Sequence, residues 1–234
     1  MKSHPEKAGE IGLLYVVGEE VDHIGMKAAN SLQLSPEFII CGEPTELKLA
    51  KLQKGILKAK IITTGIAAHS GYPEKGVSSI DALLDVLRDL KEFSWPVKAG
   101  FGQTTLNIGL LNSGAAANII PAYSEAVLMF RLVTPGEEVL KLLTEKVGGR
   151  AKIEVLSMND PLELDELEDK TAFETATVAF NTDLPYLKVE NLKRFLFGAG
   201  SIMDAHGERE KVTRKDAEKG IEGYLRLIED LLGK

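Results

Sequence analysis

Hydrophobic positions change their spacing several times along the chain, and each change predicts a different element. Residues 11–17 and 38–41 are short apolar runs, the pattern of strands covered on both faces. Between them, residues 22–34 place Ile24, Ala28 and Leu32 at helical spacing and end in the turn signal Ser35-Pro36. Strand, helix, strand predicts a parallel sheet. The first strand should end on Gly18-Glu19-Glu20 and the second on Gly42-Glu43-Pro44, so carboxylates collect at strand ends.

From Gly55 the texture changes. Residues 55–64 mix Ile56, Leu57, Ile61 and Ile62 with Lys58 and Lys60, which suits a strand with one wet face. Residues 78–93 put Ile80, Leu83, Leu84, Leu87 and Leu90 on one helical stripe, with Ser78 and Ser79 as cap candidates and Asp81 in the first turn. Strands are predicted at 104–111 and 124–133, a helix at 137–147 and a strand at 151–156. That order, strand, helix, strand, strand, helix, strand, is the order of a ferredoxin-like sandwich. After Asn159-Asp160-Pro161 the pattern predicts a helix over 171–180, a short strand at 195–197 and a last helix over 214–232 that buries Ile221, Leu225, Ile228 and Leu232. The chain therefore reads as one α/β domain (1–52 and 158–234) interrupted by an inserted α+β domain (53–157).

Composition narrows the picture. A chain of 234 residues with 44% hydrophobic content can bury a full core, and a net charge of -7 argues against a basic face that tracks phosphates. The single cysteine, Cys41, sits in an apolar run and reads as a small buried hydrophobe, a usage that suits a reducing compartment. Residues 1–10 are polar, with His4, Pro5 and Glu6, so neither a signal peptide nor a membrane span is expected there; a soluble cytoplasmic protein is.

Candidate chemistry begins with carboxylates. Glu19-Glu20 alone is more often a solvated turn than a site, but Glu43 on a neighbouring strand would bring a third carboxylate to the same sheet edge, where α/β active sites lie. Such convergence is costly without a cation. His206, in the glycine-rich stretch Gly198-Ala199-Gly200-Ser201 to Asp204-Ala205-His206-Gly207, offers a nitrogen. Two carboxylates and one imidazole suit zinc, and a further carboxylate beside it could act as a base. Glu208 and Glu210 are candidates to orient the imidazole, or are simply surface charges.

Five motifs then occur in one order: Gly18-Glu19-Glu20; Gly42-Glu43-Pro44-Thr45; Gly65-Ile66-Ala67-Ala68-His69-Ser70-Gly71; Asn118-Ile119-Ile120-Pro121; and Gly198-Ala199-Gly200-Ser201 with Ala205-His206. Together they resemble the zinc-dependent metallopeptidase family that includes aminoacylase, acetylornithine deacetylase and succinyl-diaminopimelate desuccinylase. The resemblance implies a phosphorylase/hydrolase-like catalytic α/β domain with an inserted ferredoxin-like dimerisation, or lid, domain. It makes Glu19 the general base, Glu20 and His206 ligands of one zinc, and Glu43 a ligand of the other. Two zinc ions per complete site are implied, with cobalt as a substitute. His69 would reach the partner subunit's site and stabilise the oxyanion, and Asn118 and Arg131 would hold the substrate. A homodimer through the inserted domain follows from the same resemblance.

The family's first metal motif, a histidine and an aspartate one residue apart, and its bridging aspartate belong before residue 11, and His4-Pro5-Glu6 does not replace them. The expectation is accordingly a hydrolase of the amide bond in N-acyl amino acids or small peptides, of the acetylornithine deacetylase kind, inactive as this chain alone. The competing reading is a non-catalytic dimerisation or binding module derived from such an enzyme. A plain ferredoxin-like binding protein would leave the ordered motifs unexplained.

Overall fold

The computed structural model describes residues 11–233; residues 1–10, with His4 and the reading of that segment, lie outside them. In chain order, helix α1 (Ile24–Ala29) precedes strands β1 (Phe38–Cys41), β2 (Leu49–Gln53) and β3 (Gly55–Thr64). Next come β4 (Ala68–His69), helix α2 (Ser79–Glu92), β5 (Val97–Lys98), β6 (Gly102–Gln103) and β7 (Thr105–Ser113). Then follow β8 (Ile119–Ile120), β9 (Tyr123–Leu132), helix α3 (Gly136–Val147), β10 (Lys152–Asn159) and β11 (Leu162–Glu163). The last are β12 (Thr175–Val178), β13 (Lys193–Leu196) and helix α4 (Arg214–Leu232).

The central sheet runs β10-β3-β9-β7 with every neighbouring pair antiparallel. This is the ferredoxin-like strand order that the alternation predicted. Period-2 patterning sends Leu57, Ala59 and Ile61 of β3 and Ala126, Leu128, Phe130 and Leu132 of β9 to one face. There they meet Leu83, Val86, Leu87 and Leu90 of α2 and Val139, Leu143 and Val147 of α3. Burying each large side chain of this kind contributes about 1.5–3 kcal/mol. The opposite face carries Lys58, Lys60, Glu125 and Arg131, with Lys60 and Glu125 paired at 3.1 Å. Helix α2 starts where expected, because the Ser78 side chain accepts a hydrogen bond from the Asp81 N–H at 3.2 Å. Its buried stripe is turned slightly from the predicted one: Val86 is buried and Leu84 is 53% exposed.

The remaining strands form four smaller sheets, two of which, the pairs β4-β8 and β5-β6, are short ribbons of the inserted part. β1 pairs in parallel with β13, and β2 lies between β11, antiparallel, and β12, parallel. Phe195, Phe197, Leu49 and Leu227 form the core between these strands and α4. The strand expected at 11–17 is absent. Leu13, Tyr15 and Val17 are 72–86% exposed, and among the described residues no strand pairs with this segment, so its apolar run has no ladder to join. The parallel pairing expected there is made by β1 with β13 instead.

The helix expected over 171–180 is replaced by β12. Thr175, Thr177 and Val178 are β-branched, and β2 offers a ladder that they complete. Helix α4 has the expected bounds but a different buried face. Gly220 and Leu227 are buried while Ile221 is 63% exposed, because Gly223 lies flush on the Phe197 ring, where a Cβ would stand 2.3 Å from the ring carbon. The glycines set the contact, and the apolar stripe turns away from it.

Two strand connections join the central sandwich to the smaller sheets, and they run side by side. Residues 53–55 face residues 159–162 in antiparallel register, Ile56 opposite Asn159 and Gln53 opposite Leu162. Gly55 permits the close crossing, since a Cβ there would stand 2.4 Å from the Asn159 carbonyl oxygen. Among the described residues no helix is long and apolar enough to cross a membrane.

Candidate functional site

Glu43 is held by a loop that two separate motifs build together. Beyond β1, Thr45 donates its N–H to the Gly198 carbonyl at 3.3 Å, and its hydroxyl accepts the Gly198 N–H at 3.0 Å. The Glu46 and Leu47 N–H groups reach the Gly200 and Gly198 carbonyls at 2.9 and 3.0 Å. To do so both residues adopt left-handed backbone, φ 56° and 61°, at a cost of order 1–2 kcal/mol each. Gly42-Glu43-Pro44-Thr45 and Gly198-Ala199-Gly200-Ser201 are thus one structural unit.

Glu19 and Glu20 sit on a tight turn rather than at a strand end. The N–H groups of Val21, Asp22 and His23 converge on the Gly18 carbonyl at 3.2, 3.1 and 2.7 Å. His23, itself left-handed at φ 58°, locks the turn from behind. Its Nδ1 lies 2.9 Å from Asp183 Oδ1, and its ring stacks on Tyr186 at 4.1 Å and 18°. The sequence pattern gives no signal for His23, Asn181, Asp183 and Tyr186 as members of this group. His23 and Asp183 stand 160 residues apart in sequence, so no local pattern could join them.

The carboxylates feel one another. Burial pushes the Glu43 carboxyl up to about 7, with further upward pressure from Glu19, Glu20 and Asp183. Glu19 is also raised, first by burial and then by Glu20, while His23 and His206 act against the shift. Burial, followed by the charges of Glu43, Asp183 and Glu19, pushes the Cys41 thiol up to about 12, although the residue is half-buried rather than enclosed in the core. His206 Nε2 approaches Glu20 Oε2 at 3.5 Å, with both side chains about two-thirds exposed. Glu210 accepts the His206 backbone N–H at 3.1 Å and so shapes the loop rather than the imidazole.

Among the described residues no three such side chains close into a metal-binding group. The donor set still has the right chemistry for a cation: one carboxylate and one imidazole meet, and two more carboxylates are raised, first by burial and then by the negative charge around them. Glu20 and His206 would supply two of the four ligands that zinc takes.

His69 and Asn118 come together elsewhere, on the exposed ribbon of β4 and β8, where the Ser70 N–H donates to the Asn118 carbonyl at 3.0 Å. The Gly71 N–H donates to His69 Nδ1 at 3.0 Å, which in the neutral ring leaves the proton on Nε2. Arg131 lies half-buried on the outer face of β9, its guanidinium pKa lowered by burial. Among the described residues no hydrogen bond or ion pair links His69, Asn118 or Arg131 to the Glu19, Glu20, Glu43 and His206 group.

Residues 52–152 match the peptidase dimerisation domain of the M20 family. The chain is 39% identical over 222 residues to a peptidase M20 domain-containing protein of Schizosaccharomyces pombe, covering 94% of this chain and 55% of that protein. It is 39% identical over 254 residues to a probable carboxypeptidase of Aspergillus niger, covering 98% of this chain and 60% of that protein. Two solved structures share the fold at 19% identity. They are an aminopeptidase PepT of Bacillus cereus (TM-score 0.71, 93% of this chain and 63% of that one) and a tripeptidase of Staphylococcus aureus (TM-score 0.72, 92% and 62%). The match to the peptidase dimerisation domain is confined to residues 52–152, and similarity to an M20 domain-containing protein extends to both sides of it. The relatives that it matches include probable carboxypeptidases, and the chain spans little more than half the length of these relatives.

Proposed function

We propose that these residues serve a zinc-dependent hydrolase that cleaves the amide bond of N-acyl amino acids or small peptides. The observation that carries this reading is the approach of His206 to Glu20 at 3.5 Å beside the raised carboxyls of Glu19 and Glu43. Glu20 and His206 would share one ion and Glu43 would hold a second; bound zinc supplies Lewis acidity toward the amide carbonyl and lowers the pKa of water.

Glu19 is the base in this scheme. It is partly buried, and its pKa, raised first by burial and then by Glu20, brings it nearer to the pH at which a base works best. Arg131 would grip the substrate carboxylate, and its half-buried guanidinium has no carboxylate partner among the described residues. His69, with its proton on Nε2, would donate to the oxyanion of a second protomer's substrate, with Asn118 beside it. The division into 1–52, 53–157 and 158–234 fits this assignment of roles, with the inserted part supplying dimerisation.

Zinc titration of the chain by calorimetry tests the site. Glu20→Ala, Glu43→Ala and His206→Ala should each weaken binding by tenfold or more; equal affinity in all four proteins overturns it. Hydrolysis of N-acetyl amino acids against dipeptides by the zinc-loaded protein then separates the acylase from the peptidase branch. The match over residues 52–152 and the absence of a three-donor group among the described residues favour a second reading, a dimerisation module without catalysis. Failure of the chain to bind zinc would select it.

A further inference from the structure

One half-buried amide connects the two strand connections of the fold to the turn that carries Glu19 and Glu20. Asn181 Oδ1 accepts from Gln53 Nε2 and from Asn159 Nδ2, each at 2.9 Å. Its Nδ2 faces His23 Nε2 at 3.1 Å and the Tyr186 hydroxyl at 3.4 Å. Every donor and acceptor of the amide is therefore used. Gln53 is the last residue of β2 and Asn159 the last of β10, so the two acceptor bonds fall on the two neighbouring strands through which the sandwich is attached.

The far side of Gln53 is fixed as well. Its Oε1 accepts from the Thr182 hydroxyl at 2.5 Å, and that hydroxyl accepts the Leu184 N–H at 3.2 Å. Gln53 and Thr182 are fully buried and Asp183 is 4% exposed, so no solvent competes for these bonds. At the other end, an Asn181 amide that donates to His23 Nε2 leaves the His23 Nδ1 proton for Asp183. The His23 main-chain N–H in turn makes the shortest of the bonds closing the turn on Gly18, at 2.7 Å.

We propose that Asn181 is a positioning residue that couples the setting of the paired connections, and hence of the inserted sandwich, to the placement of Glu19 and Glu20. A swing of the sandwich must bend residues 53–55 and 159–161, because these are the strands that carry it. Asn181 cannot follow Gln53 and Asn159 without dragging or releasing His23. Released, His23 no longer sets the turn, and Glu19 and Glu20 lose their fixed direction. The functional meaning of this coupling rests on the reading of Glu19 and Glu20 as site carboxylates; the coupling itself does not.

Hydrogen exchange followed by mass spectrometry on the full chain tests it. Asn181→Leu keeps the branching and the number of side-chain heavy atoms and removes all four bonds. Exchange in peptides covering 17–25 and 53–57 should rise together by about tenfold, while peptides covering 124–132 in the sandwich core stay unchanged. Gln53→Leu, which touches only the connection side, should also speed exchange in 17–25 by several-fold. A rise confined to one of the two segments, or a 17–25 segment indifferent to Gln53→Leu, overturns the proposal. So does an equal rise in 124–132, which would mark general loss of stability. Zinc affinity of the same variants is read separately: coupled exchange with no zinc binding sinks the hydrolase reading and leaves the coupling standing.

Discussion

Gly198 and Glu43 touch backbone to backbone, so closely that a Cβ on Gly198 would stand 2.4 Å from the Glu43 carbonyl oxygen. This contact, made by residues far apart in sequence, sets where the Glu43 carboxylate stands. Gly198→Ala should therefore displace the Glu43 loop and destabilise the chain by about 1–3 kcal/mol. Urea denaturation reads the loss. An alanine variant as stable as the parent would mean that the loop yields freely and is no fixed support for Glu43.

Glu43 also carries a pH signature. Its carboxyl is raised from 4.5 to about 7, chiefly by burial, so ionisation is harder in the folded state than in the unfolded one. The stability tied to the protonated form is present below the unfolded pKa and is lost as pH rises through the folded value. Between pH 4.5 and 7 this group should remove about 2 kcal/mol, allowing for its partial exposure. Glu43→Gln should flatten that part of the profile and leave the variant more stable than the parent at pH 8. Identical profiles would show that the carboxylate is well solvated.

Dimerisation should depend on the open edge of the sandwich. β7 is the outermost strand of its sheet, and its exposed Leu110 and Leu111 are 67% and 57% accessible. An edge of this kind pairs readily with a copy of itself. Leu110→Lys combined with Leu111→Asp should shift sedimentation equilibrium from dimer toward monomer without altering the far-ultraviolet dichroism. A dimer that persists in the double variant moves the interface to another face.

Much of the sandwich was legible because its signals are local. The alternation of Leu57, Ala59 and Ile61, the stripe of α2 and the Ser78 cap each depend on neighbours within a few residues. The errors share one physical origin, the dependence of burial on a distant partner. Residues 11–17 have strand composition but no partner among the described residues, and 175–178 became a strand because β2 offered a ladder. Helix α4 kept its bounds and turned its buried face because Gly223 nests on Phe197, which no periodicity within the helix encodes.

The candidate site divides in the same way. Residue chemistry along the chain named Glu19, Glu20, Glu43 and His206, and the resemblance carried by the ordered motifs added His69, Asn118 and Arg131. Only the tertiary structure brought His206 to Glu20, joined the Glu43 loop to Gly198, and placed His23, Asp183 and Asn181 behind the acidic turn. Helix and strand periodicity reports which face of an element is apolar, and so it determined the ferredoxin-like order. Which elements that face meets, and which polar groups are then buried together and must satisfy one another, is settled by packing between segments more than a hundred residues apart.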